Sequence, residues 1–351
     1  MCRQIRLAAD NGCNCAAVKP IYKSVQRGKK CSGIKLTTIL ITGVTSCSGR
    51  HAVQYLRRKI DIQIHGTARI AADLDGLTDC HQCDFLNPDE IYRVVQHVKP
   101  DQVLHLAASS DPSNAGALVQ TNIAGTLNLL EACQQTNRKV DVLLVGSAAG
   151  FGEMRDDETG LAGDRVCKPV SLYGVSRETQ LELGRISEGQ NGLRILLCRT
   201  FNLIGPGISD RYVPMALATR IANALRDGVH ELELRDMNSV RDFVDVRDAV
   251  AAYFAIMEHG RTGYAYSVGR GEPVTIERLA GILAEEQGGA IRFKSEARKD
   301  ITSRTGINRS VADSFELQKD TGWSPQFTLA ESVRDMLAHD SFQSNRQNTA
   351  V

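Results

Sequence analysis

The stretch Thr38-Ile-Leu-Ile-Thr-Gly-Val-Thr-Ser-Cys-Ser-Gly49 joins an apolar run to a loop that carries two glycines. Thr38–Ile41 has the aliphatic and β-branched residues of a buried strand, and His51–Arg58, after the loop, reads as a helix. In such a strand–loop–helix unit, glycines let the backbone approach a pyrophosphate, and the helix N-terminus supplies amides and positive charge. The stretch therefore predicts the first unit of an α/β fold that has a nucleotide-binding edge.

Beyond this stretch, short apolar runs alternate with longer amphipathic segments, which is typical of parallel strands joined by crossover helices. Further strands are predicted at Ile62–Thr67, Gln102–Leu106, Val140–Val145 and Arg194–Arg199, and helices at Pro88–His97, Asn122–Gln135 and Leu172–Ser187. After Gly205-Pro-Gly207 the alternation weakens, and helices are predicted at Val213–Arg226 and Ile276–Glu286. We expect a doubly wound parallel sheet of the Rossmann type, followed by a smaller, mixed C-terminal substrate lobe.

The chain divides into four predicted parts. Residues 1–35 hold eight Lys/Arg against one acid, Asp10, and predict a basic, disordered extension, with a transit peptide as the alternative. Residues 36–204 predict the NAD(P)-binding Rossmann domain, to which 240–265 return, and residues 205–340 predict the substrate-binding lobe. The polar residues 341–351 predict a disordered tail.

The composition excludes several classes of protein. The 351 residues are 42% hydrophobic and 24% charged, with a mean hydropathy of −0.22. No run approaches the ~20 apolar residues of a membrane span, and the basic charge is concentrated in the extension rather than spread as in a nucleic-acid binder. Ten scattered cysteines favour reduced thiols and the cytoplasm. Cys80-His-Gln-Cys83 lacks a second pair at a suitable distance, so no metal site is predicted.

A second pattern in the sequence contains candidate catalytic residues. In Tyr173-Gly-Val-Ser-Arg177 the first and last side chains lie one helical turn apart on the same face. A phenol ordinarily titrates near ~10 and exchanges protons near neutrality only if a neighbouring cation lowers its pKa by about three units. Ser147 ends the apolar run at Val140–Gly146, where a strand delivers its hydroxyl to the same edge. The three residues predict proton exchange with a substrate hydroxyl or carbonyl.

Taken with the glycine loop, Ser147, Tyr173 and a basic residue at i+4 resemble the extended short-chain dehydrogenase/reductase superfamily, within it the NAD-dependent epimerase/dehydratase family. Two positions depart from its pattern: Arg177 replaces lysine, and Ser46 replaces the middle glycine of Thr-Gly-x-x-Gly-x-x-Gly. The resemblance covers roughly residues 37–338. It is closest to the GDP-4-dehydro-6-deoxy-mannose reductase and GDP-mannose 4,6-dehydratase branch, through the motifs Arg199-Thr-Phe-Asn202, Gly205-Pro-Gly207, Arg241–Asp248 and Gly322-Trp-Ser-Pro325.

The resemblance implies a nicotinamide cofactor, with Tyr173 and Arg177 also at its ribose. The other implied cofactor contacts are Gly43, Ser46, Gly49, Asp84 and Ala107. The residues themselves bear on which cofactor binds, because an NAD site usually places an acid about 20 residues beyond the loop, on the ribose. No acid occurs from Gln63 to Ile70, whereas the guanidinium of Arg69 suits a 2′-phosphate. We therefore expect NADP(H) to be preferred, with NAD(H) possible.

For the substrate, the resemblance implies a nucleotide-diphosphate sugar held by Asn202, Arg241 and Arg298, with an Arg241 ion pair to Asp242 or Asp245 as the structural alternative. Ala148 and Ala149 occupy the places where the family's dehydratases carry proton-transfer residues, which disfavours elimination. The predicted function is therefore NADP(H)-dependent reduction of the 4-keto group of a nucleotide-diphosphate 6-deoxysugar.

Three alternatives stay open: a 4-epimerase, a 4,6-dehydratase, and a non-catalytic NAD(P)-binding regulatory subunit. The helices Asn122–Gln135 and Leu172–Ser187 are expected on one side of the sheet, where relatives form dimers. A homodimer is therefore expected.

Overall fold

The aliphatic runs of the chain form a parallel sheet of seven strands. The computed structural model describes residues 36–111, 113–295 and 307–339 together with Phe342. The predictions for residues 1–35, for the tail beyond Phe342 and for Arg298 lie outside the described residues.

The strands are, in chain order, β1 (Thr37–Thr42), β2 (Ile62–Ala68), β3 (Asp79–Gln82), β4 (Gln102–His105), β5 (Val140–Ser147), β6 (Leu193–Thr200), β7 (Asn202–Ile204), β8 (Glu231–Leu234), β9 (Val240–Arg241), β10 (Phe243–Asp245), β11 (Ala265–Val268), β12 (Val274–Thr275), β13 (Arg292–Ser295) and β14 (Arg309–Ser310). The helices are α1 (Cys47–Leu56), α2 (Pro88–Val98), α3 (Ala115–Val119), α4 (Gly125–Gln134), α5 (Leu172–Ser187), α6 (Val213–Arg226), α7 (Val246–His259), α8 (Ile276–Glu286), α9 (Phe315–Thr321) and α10 (Leu329–Ala338).

The large sheet has the strand order β11-β6-β5-β4-β1-β2-β3, and every neighbouring pair is parallel. Side chains of successive strand residues point to opposite faces. On β1, for example, Ile39 and Ile41 pack with α1 and α7, whereas Leu40 packs with α2, α4 and α5. Helices thus cover both faces, and the predicted doubly wound fold is confirmed.

A second hydrophobic core lies beside the sheet. It is formed by α6, α8 and α10 with β8 and β10, and it includes the buried side chains of Leu217, Leu283 and Met336. Phe342 is buried in the same core. The described residues from Leu36 onward form one unit, and the boundary at residues 204/205 stays a prediction.

One predicted helix differs from the structure. The helix expected at Asn122–Gln135 is preceded by α3 and by a π-helical turn at Gln120–Ala124, so α4 begins at Gly125. The wider turn carries Asn122, whose side chain accepts a hydrogen bond from the Ser109 amide (2.7 Å) and donates one to the Ser176 hydroxyl (3.0 Å). Asn122 is therefore an internal bridge between three segments of the chain. Single π-helical turns are frequent near functional sites.

Candidate active site

The predicted site residues cluster where the strand order reverses. The chain passes from β3 to β4, which lies on the other side of β1, so the crevice expected of an open α/β sheet falls at the carboxyl ends of β1 and β4. In open α/β sheets, ligands bind in this crevice, outside the carboxyl ends of the strands. The loop after β5 and the first turn of α5 adjoin it.

The loop after β1 has the close backbone contacts that glycine permits. Gly43 has a φ of +65°, and a Cβ added there would lie 2.9 Å from the backbone of Ala107. A Cβ on Gly49 would lie 2.5 Å from the Val44 carbonyl oxygen. Gly43 thus lets the β1 loop contact the loop after β4, and Gly49 lets the start of α1 contact the backbone of Val44. Neither position places a side chain at the N-terminus of α1.

Ser46, which replaces the middle glycine of the family pattern, is the N-cap of α1. Its hydroxyl accepts a hydrogen bond from the Gly49 amide at 3.1 Å, which satisfies one of the free amides at the helix N-terminus. The serine therefore stabilises the helix start at a position where the pattern has no side chain.

Ser147, Tyr173 and Arg177 are brought to the same edge of the sheet. Ser147 ends β5, and its hydroxyl accepts a hydrogen bond from the Ala149 amide at 3.3 Å. Tyr173 lies in the first turn of α5. This turn packs closely on the turn that follows Ser147, because a Cβ on Gly174 would lie 2.4 Å from the Ala149 carbonyl oxygen. Arg177 follows one turn later.

The Arg177 side chain is directed into the fold. The residue is 5% exposed, and Nη2 donates a hydrogen bond to the carbonyl of Val145 on β5. Its Nε and Nη1 have no hydrogen-bond partner within the described part of the chain. A buried guanidinium with unused donors is costly unless another group accepts from it. Because both donors are buried, a ligand oxygen reaches them only if the side chain moves.

Two titratable groups near Arg177 were missed by the sequence analysis. Burial, together with the positive charge of Arg177, lowers the pKa of His105 to about 3. Burial raises the pKa of Tyr212 to about 12, helped by Tyr173 and opposed by Arg177. For His105, a polar residue inside an apolar strand is a sequence signal that could have been used. Tyr212 has no comparable signal, because it reaches the site from the turn before α6.

The expected cofactor residues Arg69 and Asp84 lie at the ends of neighbouring strands. Arg69 follows β2 directly, is exposed, and makes no hydrogen bond or ion pair with any described residue. Asp84 follows β3, and its carboxylate accepts a hydrogen bond from the Leu86 amide at 3.0 Å. Ala107 follows β4, and its amide donates to the Thr42 hydroxyl at 3.1 Å.

Of the residues expected to hold the substrate, Asn202 begins β7 and Arg241 ends β9. The Nδ2 of Asn202 donates a hydrogen bond to the Asp242 backbone carbonyl at 3.0 Å. The side-chain oxygen Oδ1 of Asn202 takes no part in this bond. The Arg241 guanidinium donates to the Val240 carbonyl at 2.9 Å and to the Ile307 carbonyl at 2.8 Å. Burial lowers the pKa of Arg241.

The alternative ion pair of Arg241 with Asp242 or Asp245 does not form. The Asp242 carboxylate accepts three backbone amides, from Arg270, Gly271 and Ala312. Asp245 pairs with Arg247 at 2.8 Å.

The turn after Ser147 carries no acid or base. Ala148 and Ala149 form it, with Gly150. The next carboxylate, Glu153, accepts hydrogen bonds from the backbone amides of Asn308 (2.7 Å) and Arg309 (3.3 Å). It is thus engaged in holding the β14 segment.

Two negative observations complete the description. In the ranges that the structure describes, no group of three or more His, Cys, Asp or Glu residues is arranged to hold a metal ion. None of the described helices is long and apolar enough to cross a membrane.

Comparison with known proteins gives the family of the chain. A family model for the NAD dependent epimerase/dehydratase family matches residues 39–269. The chain is 28% identical over 310 residues to GDP-6-deoxy-D-mannose reductase of Pseudomonas aeruginosa, covering 86% of this chain and 96% of the relative. It is 30% identical over 247 residues to dTDP-glucose 4,6-dehydratase of Streptomyces griseus, covering 68% and 71%. The solved structure of RMD from Pseudomonas aeruginosa complexed with NADPH has a TM-score of 0.75 at 26% identity, covering 88% and 99%.

Proposed function

The chain belongs to the NAD dependent epimerase/dehydratase family, and from this premise we propose that it reduces the 4-keto group of a nucleotide-diphosphate 6-deoxysugar with NADP(H). The relative with 96% of its length covered is named GDP-6-deoxy-D-mannose reductase, which favours a GDP-linked sugar. The observation that carries the proposal is that the first turn of α5, which holds Tyr173, packs directly on the turn that follows Ser147.

The residues present fit a nicotinamide dinucleotide. Gly43 and Gly49 carry no side chain between the loop backbone and a pyrophosphate at the N-terminus of α1, where the Gly49 amide is already bonded to the Ser46 hydroxyl. Arg177 contributes a positive charge one helical turn after Tyr173, on the side proposed for the nicotinamide half. When bound, the reduced cofactor supplies the hydride that the sugar carbonyl carbon receives.

In this proposal the protein's own groups manage the carbonyl oxygen. Tyr173 donates its phenolic proton to that oxygen as negative charge develops on it. The Ser147 hydroxyl donates a hydrogen bond to the same oxygen and orients it. Arg177 stabilises the phenolate that remains, since its positive charge is fixed in a site of low dielectric constant. Asn202, Arg241 and Arg298 hold the nucleotide and diphosphate. Of these three, Arg298 is not among the residues that the structure describes.

Reduction is favoured over dehydration by the turn after Ser147. A 4,6-dehydratase must remove the proton at C5 and donate a proton to the hydroxyl that leaves C6, which needs a base and an acid. The two alanines supply neither, and Glu153 is held by the amides of Asn308 and Arg309. The dehydratase relative is therefore a guide to the fold and the cofactor site, but not to the reaction.

The preference for NADP(H) over NAD(H) is part of the proposal. Arg69 is exposed at the end of β2, without an ion pair to any described residue, and its planar guanidinium suits a phosphate on the ribose. The NADPH-bound structural relative supports this preference.

We also infer that the enzyme works as a homodimer in the cytoplasm. Apolar side chains on α4 and α5 are exposed, among them Leu127 and Val175. All six cysteines among the described residues are free thiols, as expected in a reducing compartment.

The direct experiment incubates the protein with NADPH and GDP-4-dehydro-6-deoxy-D-mannose. We expect stoichiometric oxidation of NADPH and formation of a GDP-6-deoxysugar. GDP-mannose serves as the dehydration control and should lose no water. Loss of water from GDP-mannose would overturn the choice of reductase over dehydratase, whereas cofactor binding without turnover of any nucleotide ketosugar would favour the regulatory subunit.

A further inference from the structure

His105 lies in a chain of hydrogen bonds that runs from Thr42, at the end of β1, through Thr126 and the residue Asn122 to α5. The residue ends β4 and is 1% exposed. Its Nδ1 lies 2.7 Å from the Thr42 hydroxyl, and its Nε2 lies 3.0 Å from the Thr126 hydroxyl. Both ring nitrogens therefore have a partner inside the protein.

The proton positions along this chain follow from counting donors. The Thr42 hydroxyl oxygen accepts from the amides of Leu106 and Ala107, each at 3.1 Å. A hydroxyl has two acceptor lone pairs and one hydrogen, so the remaining hydrogen must be donated to Nδ1 of His105. Nδ1 is then an acceptor, and the ring proton lies on Nε2.

The other end of the chain is consistent with this assignment. Nε2 donates to the Thr126 hydroxyl, which in turn donates its own hydrogen to the Asn122 carbonyl at 2.8 Å. The Asn122 side chain holds the Ser176 hydroxyl, which donates to the Tyr173 carbonyl at 2.9 Å. A second proton on the imidazole would place two donors face to face at Nδ1. The nearby positive charge of Arg177 also opposes it.

The position of the Thr42 hydroxyl matters because it sets the gap between two loops. Thr42 ends β1, whereas Leu106 and Ala107 begin the loop after β4, so the hydroxyl joins the two sides of the crevice. The loops are already so close that a Cβ on Gly43 would lie 2.9 Å from Ala107. A hydroxyl turned away from this position would leave the two partly buried amides of Leu106 and Ala107 unsatisfied and release the Ala107 loop.

We propose that His105 is a positioning residue for cofactor binding: in its neutral form with the proton on Nε2, it orients the Thr42 hydroxyl and so fixes Gly43 against Ala107 at the crevice. The part that concerns the cofactor rests on the proposed function. The hydrogen-bond assignment depends on this chain alone.

The first test reads the tautomer directly by nitrogen NMR of protein labelled with ¹⁵N-histidine, with His105→Asn used to assign the resonance. We expect Nε2 protonated and Nδ1 bare, with no titration between about pH 8 and 5.5, a range that spans the ordinary histidine pKa. A proton on Nδ1, or titration within this range, would overturn the assignment.

The second test compares NADPH and NADH dissociation constants by fluorescence titration in two matched pairs. Thr42→Val and His105→Leu remove the hydroxyl and its acceptor, and each should weaken binding at least about tenfold. Thr42→Ser keeps the hydroxyl, and His105→Asn keeps an acceptor near Nδ1, so each should stay within about threefold of wild type. A purely structural role would instead lower the melting temperature of Thr42→Val and of His105→Leu without changing their dissociation constants for the cofactors.

The outcomes separate this inference from the proposed function. Wild-type protein that binds neither cofactor would overturn the proposed function, while the NMR result still decides the role of His105 in the hydrogen-bond chain. Tight binding that is equal in all four variants would overturn the positioning role and leave the proposed function standing. If His105→Leu does not fold, Thr42→Val with Thr42→Ser decides the question.

Discussion

At the scale of single residues, the guanidinium of Arg177 is the group that most distinguishes this site. It is anchored on the Val145 carbonyl and directed toward the interior of the sheet. An ammonium is a compact point charge on a flexible stem, whereas a guanidinium is planar, larger and permanently charged. The guanidinium, one helical turn after Tyr173, is therefore less able than a lysine ammonium to move toward the cofactor ribose.

We expect Tyr173→Phe to reduce turnover of the ketosugar by at least about a hundredfold, because general acid catalysis contributes about that much, and to leave NADPH affinity unchanged. Arg177→Lys should raise turnover, since the smaller cation reaches the ribose and the phenol together. Steady-state kinetics and cofactor titration of both variants provide the measurement. Full activity in Tyr173→Phe would show that another group donates the proton.

Arg69 is expected to determine the choice of cofactor. Wild-type protein should bind NADP(H) several-fold more tightly than NAD(H), and Arg69→Ala should remove the difference by weakening NADP(H) alone. Arg58→Ala is the matched control, because Arg58 is also an exposed arginine but lies in the turn after α1. Equal affinities of the wild type for the two cofactors would contradict the assignment.

At the scale of elements, the turn from β1 into α1 depends on Gly49. An added methyl group would lie 2.5 Å from the Val44 carbonyl, and backbone cannot move aside as a side chain can. Gly49→Ala should therefore lower the free energy of unfolding by about 1–3 kcal/mol and weaken NADPH binding. Gly281→Ala in α8 is the control, because no atom lies within 4 Å of its added Cβ.

The control Gly281→Ala should change the free energy of unfolding in the opposite direction to Gly49→Ala. Alanine in place of an unhindered helical glycine is expected to stabilise the protein by about 0.5–1 kcal/mol. Denaturant unfolding of both variants gives the comparison. Similar stability of Gly49→Ala and wild type would contradict the close approach of the loop.

The elements that the sequence predicted well are those with strong local periodicity. The predicted bounds of α5, α6 and α8 agree with the structure. For the helix expected at Asn122–Gln135, only the start is wrong: Asn122 lies in a π-helical turn and bonds to Ser109 and Ser176. These contacts span 13 and 54 residues and leave no periodic signal in the sequence. The Thr42–His105 bond spans 63 residues and was missed for the same reason. The glycines and the Tyr173 helix were predictable because local spacing defines them.

At the scale of the whole molecule, α4 and α5 lie on the same face of the sheet and expose apolar side chains. If this face forms the homodimer interface, Leu127→Glu should give a monomer that still binds NADPH, because a buried carboxylate is costly. Light scattering after size exclusion measures the mass. Ile60→Glu is the control, since this exposed residue precedes β2, away from both helices. Wild-type protein that runs as a monomer would contradict the dimer.

The central claim is that hydride passes between a nicotinamide cofactor and C4 of a nucleotide-linked sugar, and deuterium tracing tests it most directly. NADPH deuterated at C4 of the nicotinamide, in separate preparations for each face, is incubated with the enzyme and GDP-4-dehydro-6-deoxy-D-mannose. We predict that one of the two preparations gives a GDP-6-deoxysugar with deuterium at C4 and an equivalent of NADP⁺, seen by proton NMR and mass spectrometry. An unlabelled sugar from both preparations, or inversion at C4 of a nucleotide sugar without net consumption of cofactor, would contradict the account.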